Sequence, residues 1–269
     1  IIQSSRKDNI RRQGVAIILK KELSESIIDY EIISERIMHV TLDMEDGPWT
    51  FFQIYAPDTS YSDVEIDMFY ENLQDKFNAT PKKHKKMILG DFNAKIGTEA
   101  YKNWEEVCGK FSIGDINESG EKLLQFCALN KLCVTNTLYK HKHQRLVTWR
   151  SPDNRTQNQI DFIIIQQSCK SIVKNCRVYN SADIDSDHSL LMSTCVFMVK
   201  KIKRLKPTSK KFNVEKLEDR NVSQELEHRI GGAFEPLLSL ETTVDDLYEL
   251  FKNKTNTLTQ EVLGRKRLR

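Results

Sequence analysis

Met87-Ile88-Leu89-Gly90-Asp91-Phe92-Asn93 is a short apolar run that stops at a glycine and delivers a carboxylate and an amide two positions apart. If the backbone stays extended, Asp91 and Asn93 share one face and can hold a hard cation and a phosphate oxygen together. The same spacing also suits an Asp-x-Asn turn, which these side chains favour by bonding their own backbone. Two further acidic patches border apolar runs: Gln159-Ile160-Asp161-Phe162 ahead of Ile163-Ile164-Ile165, and Ser186-Asp187-His188-Ser189 ahead of Leu190 to Val199. Upstream, Ile54-Tyr55-Ala56-Pro57 ends a fourth run, because proline cannot donate to a ladder.

Asp161 sits within or beside a core strand, where a carboxylate is costly unless paired. A protonated histidine would offset that cost, and the carboxylate would raise the imidazole pKa in return. We therefore expect an Asp161–His188 pair. Asp187 suits Mg²⁺, and a protonated His188 suits a phosphate oxygen, although an exposed Asp-His loop pair needs no such role. The Tyr55 hydroxyl reads either as a phosphate donor or as the polar tip of a half-buried strand residue.

Composition limits the alternatives. The 269 residues, 39% hydrophobic and 29% charged, suit one large domain, or one domain with a tail. The net charge of +3 is mild, but the basic residues are clustered. No apolar stretch approaches the roughly 20 residues of a spanning helix, so no membrane partner is expected. The six cysteines form no C-x-x-C pair. With no signal sequence ahead of them they read as reduced thiols, which implies an intracellular protein, nuclear or cytoplasmic, that is not secreted. The chain opens on Ile1, almost directly in a strand-like segment, and reads as a fragment.

Outward from the acidic patches, Gly14 to Leu19 reads as a buried strand and Met38 to Leu42 as an alternating one. Asp46-Gly47 reads as a hairpin turn and Thr50 to Tyr55 as the returning strand. Ser62 to Phe77 reads as a helix with an apolar stripe of Val64, Met68, Leu73 and Phe77. Glu118 to Asn130 is a second helix, followed by strands at Cys133 to Thr135, Leu146 to Trp149 and Ile160 to Ile165. Strands outnumber helices and many adjoin as hairpins, which favours two mixed sheets packed face to face with helices outside.

The composition divides the chain into a domain over 1–199, a basic linker over 200–211 and a helical connector over 212–269. In the connector, Val214 to Leu226 and Val244 to Leu263 have helical periodicity, with Gly231-Gly232 and Pro236 between them. Leu247, Leu250, Phe251, Leu258 and Val262 give the second helix an apolar face. Val244-Asp245-Asp246 reads as a helix start, where acids are favoured. His141-Lys142-His143 reads as a solvated basic loop rather than a metal site. Lys82-Lys83-His84-Lys85-Lys86 reads as a phosphate contact or a solvated face in equal measure.

Together, Tyr55-Ala56-Pro57, Gly90-Asp91-Phe92-Asn93, Thr148-Trp149, Ile160-Asp161-Phe162 and Ser186-Asp187-His188 resemble the endonuclease/exonuclease/phosphatase superfamily, the DNase I-like proteins. Asn117 to Cys127, Val134-Thr135-Asn136-Thr137-Leu138 and Asn158-Gln159-Ile160-Asp161 narrow the resemblance to endonuclease domains of LINE-type non-LTR retrotransposons of the RTE kind. The resemblance covers about residues 10–199. Lys211 to Leu217 resembles the connector towards a reverse transcriptase.

The resemblance implies an α+β fold, a four-layer α/β/β/α sandwich, N-terminally truncated here, with a C-terminal helical extension. It implies a Mg²⁺-dependent DNA endonuclease (Mn²⁺ being the alternative ion), with a reverse transcriptase domain as partner in the same parent polyprotein. It assigns metal binding to Asp91, Asn93 and Asp187, and catalysis to Asp91, Asn93, Asp161, His188 and Tyr55. Within these roles Asp91 handles the proton of the water or leaving group, Asn93 orients nucleophile and phosphate, and Tyr55 binds the phosphate. His188, oriented by Asp161, stabilises the charged phosphorane. The family's metal-binding Glu and a preceding Asn lie upstream of the strand matched by Gly14-Val15-Ala16-Ile17, and residues 1–13 contain no Glu. Weak Mg²⁺ binding and little nicking are therefore expected of this chain. Two further readings stay open: a non-catalytic nucleic-acid or chromatin-binding module, and a phosphoesterase for small molecules.

Overall fold

The computed structural model describes residues 1–4, 14–182, 185–199, 212–234 and 244–266. In chain order the strands are β1 (Ile2–Gln3), β2 (Ala16–Ile17), β3 (Ile27–Ile32), β4 (Ile37–Met44), β5 (Gly47–Tyr55), β6 (Lys85–Asp91), β7 (Leu132–Val134), β8 (Trp149–Arg150), β9 (Gln157–Asn158), β10 (Asp161–Gln166), β11 (Val173–Val178) and β12 (Leu191–Cys195). The α-helices are α1 (Asp63–Ala79), α2 (Glu118–Leu129), α3 (Arg220–Phe234) and α4 (Val244–Leu263). The chain divides into two compact units, Ile1–Ile202 and Lys203–Arg269.

The first unit is built on a six-stranded mixed sheet in the order β3-β4-β5-β6-β10-β7. β4 and β5 form the hairpin expected around Asp46-Gly47, with Met44 opposite Gly47. β5 and β6 are parallel, and α1 supplies the crossover that a parallel pair requires. β10 returns antiparallel to β6.

One face of the sheet packs against α1 and α2 through Phe52, Ile54, Ile88, Phe162 and Ile164, with Leu73, Phe77, Leu123 and Cys127 opposite. The other face, with Val40, Leu42, Trp49, Met87 and Ile163, meets two separate strand pairs, β1–β2 and β11–β12. The expected second sheet is thus present as two pairs rather than one continuous sheet. Within this unit α1 and α2 are the only α-helices among the described residues. β4 is buried on both faces rather than alternating, because packed layers lie on each side of it.

Ser62 caps α1 through a capping box with Glu65. Its buried stripe is Ile66, Phe69, Leu73 and Phe77, whereas the expected Val64 and Met68 are 67% and 54% exposed. A step of five residues, from 68 to 73, over-rotates a 3.6-residue helix, whereas steps of three and four hold the face.

Other expectations are corrected. The run Gly14 to Leu19 contributes only a two-residue strand, paired with β1 alone, and Ile18 is 74% exposed. Leu146, Val147 and Thr148 are buried but irregular, and strand β8 begins only at Trp149. Thr135 opens a 3₁₀ turn after β7. In the second unit Val214–Glu218 is a 3₁₀ segment, and α3 runs through Gly231-Gly232 instead of stopping there. A Cβ at either glycine would meet nothing within 4 Å, so the pair costs helix propensity without packing. α4 has the expected bounds, with Leu247, Leu250 and Phe251 of its apolar face exposed. The whole 200–211 linker, together with Pro236, lies outside the described residues. No described helix is long and apolar enough to cross a membrane. All six cysteines are free thiols, and burial pushes Cys108, Cys133 and Cys176 up to about 11.

Candidate active site

Three neighbouring strands end at one place. Tyr55, last in β5, is in register with Asp91, last in β6, and Asp91 is in register with Asp161, first in β10. Adjacent strands lie about 4.8 Å apart, so this register alone lines up a phenol and two carboxylates along one sheet end. Gly90 makes the approach possible. Its φ is +144°, and a Cβ there would lie 1.9 Å from the Ile54 carbonyl oxygen.

Asn93 does not continue the strand. Its φ is +47°, and its N–H donates to Asp91 Oδ1 at 2.8 Å. The Asp-x-Asn turn is therefore the local geometry, and it does not displace the site. It aims the Asn93 amide back across β5, where Nδ2 donates to the Ala56 carbonyl at 2.9 Å.

Asp161 is held from both sides. Its N–H donates to Thr148 Oγ1 at 3.1 Å, and its carbonyl accepts from Asn136 Nδ2 at 3.1 Å. The segment Trp149 to His188 closes over it: Trp149 bridges antiparallel to His188, and the Ser189 N–H donates to the Thr148 carbonyl at 2.7 Å. His188 Nδ1 then lies 3.0 Å from Asp161 Oδ2, and Nε2 lies 3.9 Å from Asp91 Oδ2. Asp91, Asp161 and His188 each present one ligand atom, all within 4.8 Å of one another.

The electrostatics follow. The Asp91 carboxyl is pushed up to about 7, first by burial and then by the Asp161 charge, against the Asn93 N–H and His188. The Asp161 carboxylate raises the His188 pKa through their hydrogen bond, against burial. Burial, then the Asp91 charge, raises the Tyr55 hydroxyl.

Asp187 stands apart from the three-donor cluster. Its carboxylate accepts from Trp149 Nε1 at 2.7 Å. Burial works against ionisation there but is outweighed by the indole N–H and the His188 charge, so the pKa is lowered. The structure thus gathers Tyr55, Asp91, Asn93, Asp161 and His188, and places Asp187 beside them on an indole donor.

Three supporting residues were given no role by the sequence. Arg36 stacks its guanidinium 5.0 Å from the Tyr55 ring centroid and 4.9 Å from that of Tyr61, and donates to the Tyr55 carbonyl at 3.1 Å. Nothing local to Arg36 signals this, because Tyr55 lies 19 residues away. Asn136 and Thr148 lay within motifs already noted, and their buried polar side chains were the available signal.

The lysine run 82–86 is not a phosphate contact at this site. Lys85 lies at the far end of β6 from Asp91, about 20 Å along the strand. Lys85 pairs with Asp46, His84 Nδ1 meets Thr50 Oγ1 at 3.1 Å, and Lys86 lies over the Phe77 ring.

Comparison with known proteins places the chain in a family. The family model for endonuclease-reverse transcriptase matches residues 49–192, which span β5 through the motif carrying His188. Craniofacial development protein 2 from Bos taurus is 37% identical over 213 residues, covering 79% of this chain and 35% of its own length. The protein of the same name from Tragulus javanicus is 36% identical over 187 residues, covering 70% of this chain and 32% of its own. The chain thus spans about a third of the length of the curated relatives it matches. Among solved structures, the endonuclease domain of TRAS1, a telomere-specific non-LTR retrotransposon, aligns with a TM-score of 0.47 at 16% identity, covering 65% of this chain and 70% of that one. With the family model matched over more than half of its length, this chain belongs to the endonuclease-reverse transcriptase family of the endonuclease/exonuclease/phosphatase superfamily.

Proposed function

We propose that this chain is a metal-dependent DNA endonuclease domain of the non-LTR retrotransposon type, hydrolysing a phosphodiester by in-line attack of water. The contact that carries the reading is the Asp161–His188 pair set against Asp91 at the end of three strands. Nothing in a structural role requires two carboxylates and an imidazole to crowd there.

The donor chemistry fits a hard divalent cation, Mg²⁺ or Mn²⁺. Asp91 is a buried carboxyl crowded by a second carboxylate, and Asn93 keeps an amide oxygen beside it once Nδ2 is committed to Ala56. Asp91 and Asn93 would hold the ion, with Asp187 alongside. Such an ion supplies charge neutralisation at the phosphate and a more acidic bound water. The protein's own residues do the rest. His188, kept protonated by Asp161, donates from Nε2 to a non-bridging phosphate oxygen as charge develops there. Asp91, set beside the scissile phosphate, exchanges the proton of the attacking water or leaving oxygen. The Tyr55 hydroxyl, held by Arg36, donates to the phosphate. The resulting nick would prime a reverse transcriptase carried on the same parent polyprotein.

Relaxation of supercoiled plasmid with Mg²⁺, with Mn²⁺ and with a chelator tests this. We expect weak cleavage that needs the ion and falls about 10²-fold or more in His188→Ala. Cleavage that survives that change would sink the assignment. Salt-sensitive DNA binding without any cleavage would turn the reading towards a binding module.

A further inference from the structure

A basic cavity of about 540 Å³ lies between the turn at His143–Arg145 and the end of β11. Its cations are Lys142, Arg145 and Arg177, and Tyr179, Asn180 and Ser181 complete a polar wall. Among the described residues no carboxylate lines it, and none forms an ion pair with any of the three cations. The cavity is built rather than incidental. One wall is the 3₁₀ turn His143–Arg145, and the other is the end of β11 with the residues after it. Asn180 Nδ2 donates to the Gln144 carbonyl at 3.0 Å and ties the walls together. The Arg177 guanidinium is braced over the Tyr179 ring at 5.5 Å.

Three cations gathered with no counter-charge among the described residues repel one another, and an anion would remove that cost. Planar guanidinium forks match phosphate oxygens in pairs. The hydroxyls of Tyr179 and Ser181 add neutral donors, as phosphate sites commonly do.

Both walls run directly into the catalytic segment. The Tyr179 N–H donates to the Leu190 carbonyl, two residues beyond His188. The turn at His143–Arg145 leads within four residues to Trp149, which bridges His188. Two extended residues plus one strand spacing put the cavity about 10 Å from the imidazole. Successive phosphates of one DNA strand rise about 3.4 Å along the helix axis and also turn about it, so they lie further apart than the rise, and the gap reaches a phosphate about one or two steps away.

We propose that Lys142, Arg145 and Arg177 form a second phosphate pocket, which grips a backbone phosphate of the cleaved DNA about one or two nucleotides from the scissile bond. This rests on the DNA-cleaving reading above. The pocket fixes register on the duplex and takes no part in bond breaking.

The test uses the full chain and compares it with the Arg145→Gln/Arg177→Gln variant, after circular dichroism shows both folded. Duplex binding is followed by anisotropy across a salt series, and cleavage is followed on plasmid and on the small diester bis(p-nitrophenyl) phosphate. We expect duplex affinity to fall about tenfold and the salt slope to flatten by about one unit. We also expect KM for plasmid to rise, turnover of the small diester to hold, and Arg145→Lys/Arg177→Lys to restore the slope. Unchanged affinity and slope beside normal nicking would overturn the pocket and leave the endonuclease assignment standing. Weakened duplex binding in a chain that never nicks would keep the pocket and remove the catalytic assignment. Equal losses on plasmid and small diester would place the arginines in the catalytic site and overturn the pocket. Competition by inorganic phosphate at the affinity of the duplex would reassign the cavity to a free anion.

Discussion

His188 Nδ1 lies 3.0 Å from Asp161 Oδ2, across 27 residues of chain. Asp161 begins β10, and His188 is held by its bridge to Trp149. Neither element positions the pair alone. Thr148 connects them, accepting the Asp161 N–H on its hydroxyl and the Ser189 N–H on its carbonyl.

Replacing Asp161 with Asn keeps the shape of that contact and removes its charge. The carboxylate is the first cause of the raised His188 pKa, so the imidazole should titrate at lower pH in the variant. Nuclear magnetic resonance titration of the imidazole reads this directly. Nicking near neutral pH should fall about 10²-fold or more as the protonated donor is lost. An unshifted imidazole pKa would show that the pair does not tune His188.

Asp91 ties stability to pH in the metal-free protein. Its folded pKa is raised, from 3.8 to about 7, so between these values the native state holds a proton the unfolded chain has released. Stability from this group is therefore complete below about pH 3.8 and lost as pH rises through about 7. Asp91→Asn should melt a few degrees above wild type at pH 8, with the gap closing towards pH 4. Thermal melts in chelator across that range check it, and a constant gap would contradict the raised pKa.

Gly90→Ala should be severely destabilising. The new methyl would meet the Ile54 carbonyl oxygen at 1.9 Å, a backbone atom in the last pair but one of the β5–β6 ladder, and φ is +144°. Either the ladder opens or the strand end moves, at a cost of several kcal/mol, about 3 or more. Urea denaturation measures this. A loss below about 1 kcal/mol would mean that the strands separate here without penalty.

Arg36→Met keeps the length of the side chain but removes its charge from between Tyr55 and Tyr61. Each cation–π contact is worth about 0.5–2 kcal/mol, so a combined loss of about 1–3 kcal/mol is expected. If Tyr55 holds the phosphate, KM for DNA should rise more than kcat falls. Unchanged stability and KM would remove Arg36 from the support of the site.

Much of the site can be read locally. β5 and β6 are apolar runs that stop at Tyr55 and Asp91, β10 is one that starts at Asp161, and each of these ends coincides with a turn former or a polar cluster. The capping box at Ser62 and the bounds of α4 are also local properties, since capping and helical periodicity involve residues within one or two turns. What misled was the use of local rules where packing decides. Val64 stays exposed because α1 turns Ile66 and Phe69 towards the sheet. Gly14 to Leu19 is apolar enough for a core strand but finds only β1 to pair with.

The order of motifs, the residue types and the strand ends were determined by the sequence itself, because a buried carboxylate demands a partner and an apolar run demands a core. Which residues meet was decided only in the tertiary structure. Register sets it: one residue of slip between β6 and β10 would turn every side chain of that strand to the opposite face and separate Asp91 from Asp161. The same holds for Arg36 beneath Tyr55 and for the three cations around the basic cavity, whose proximity comes from chain crossings that no local pattern encodes.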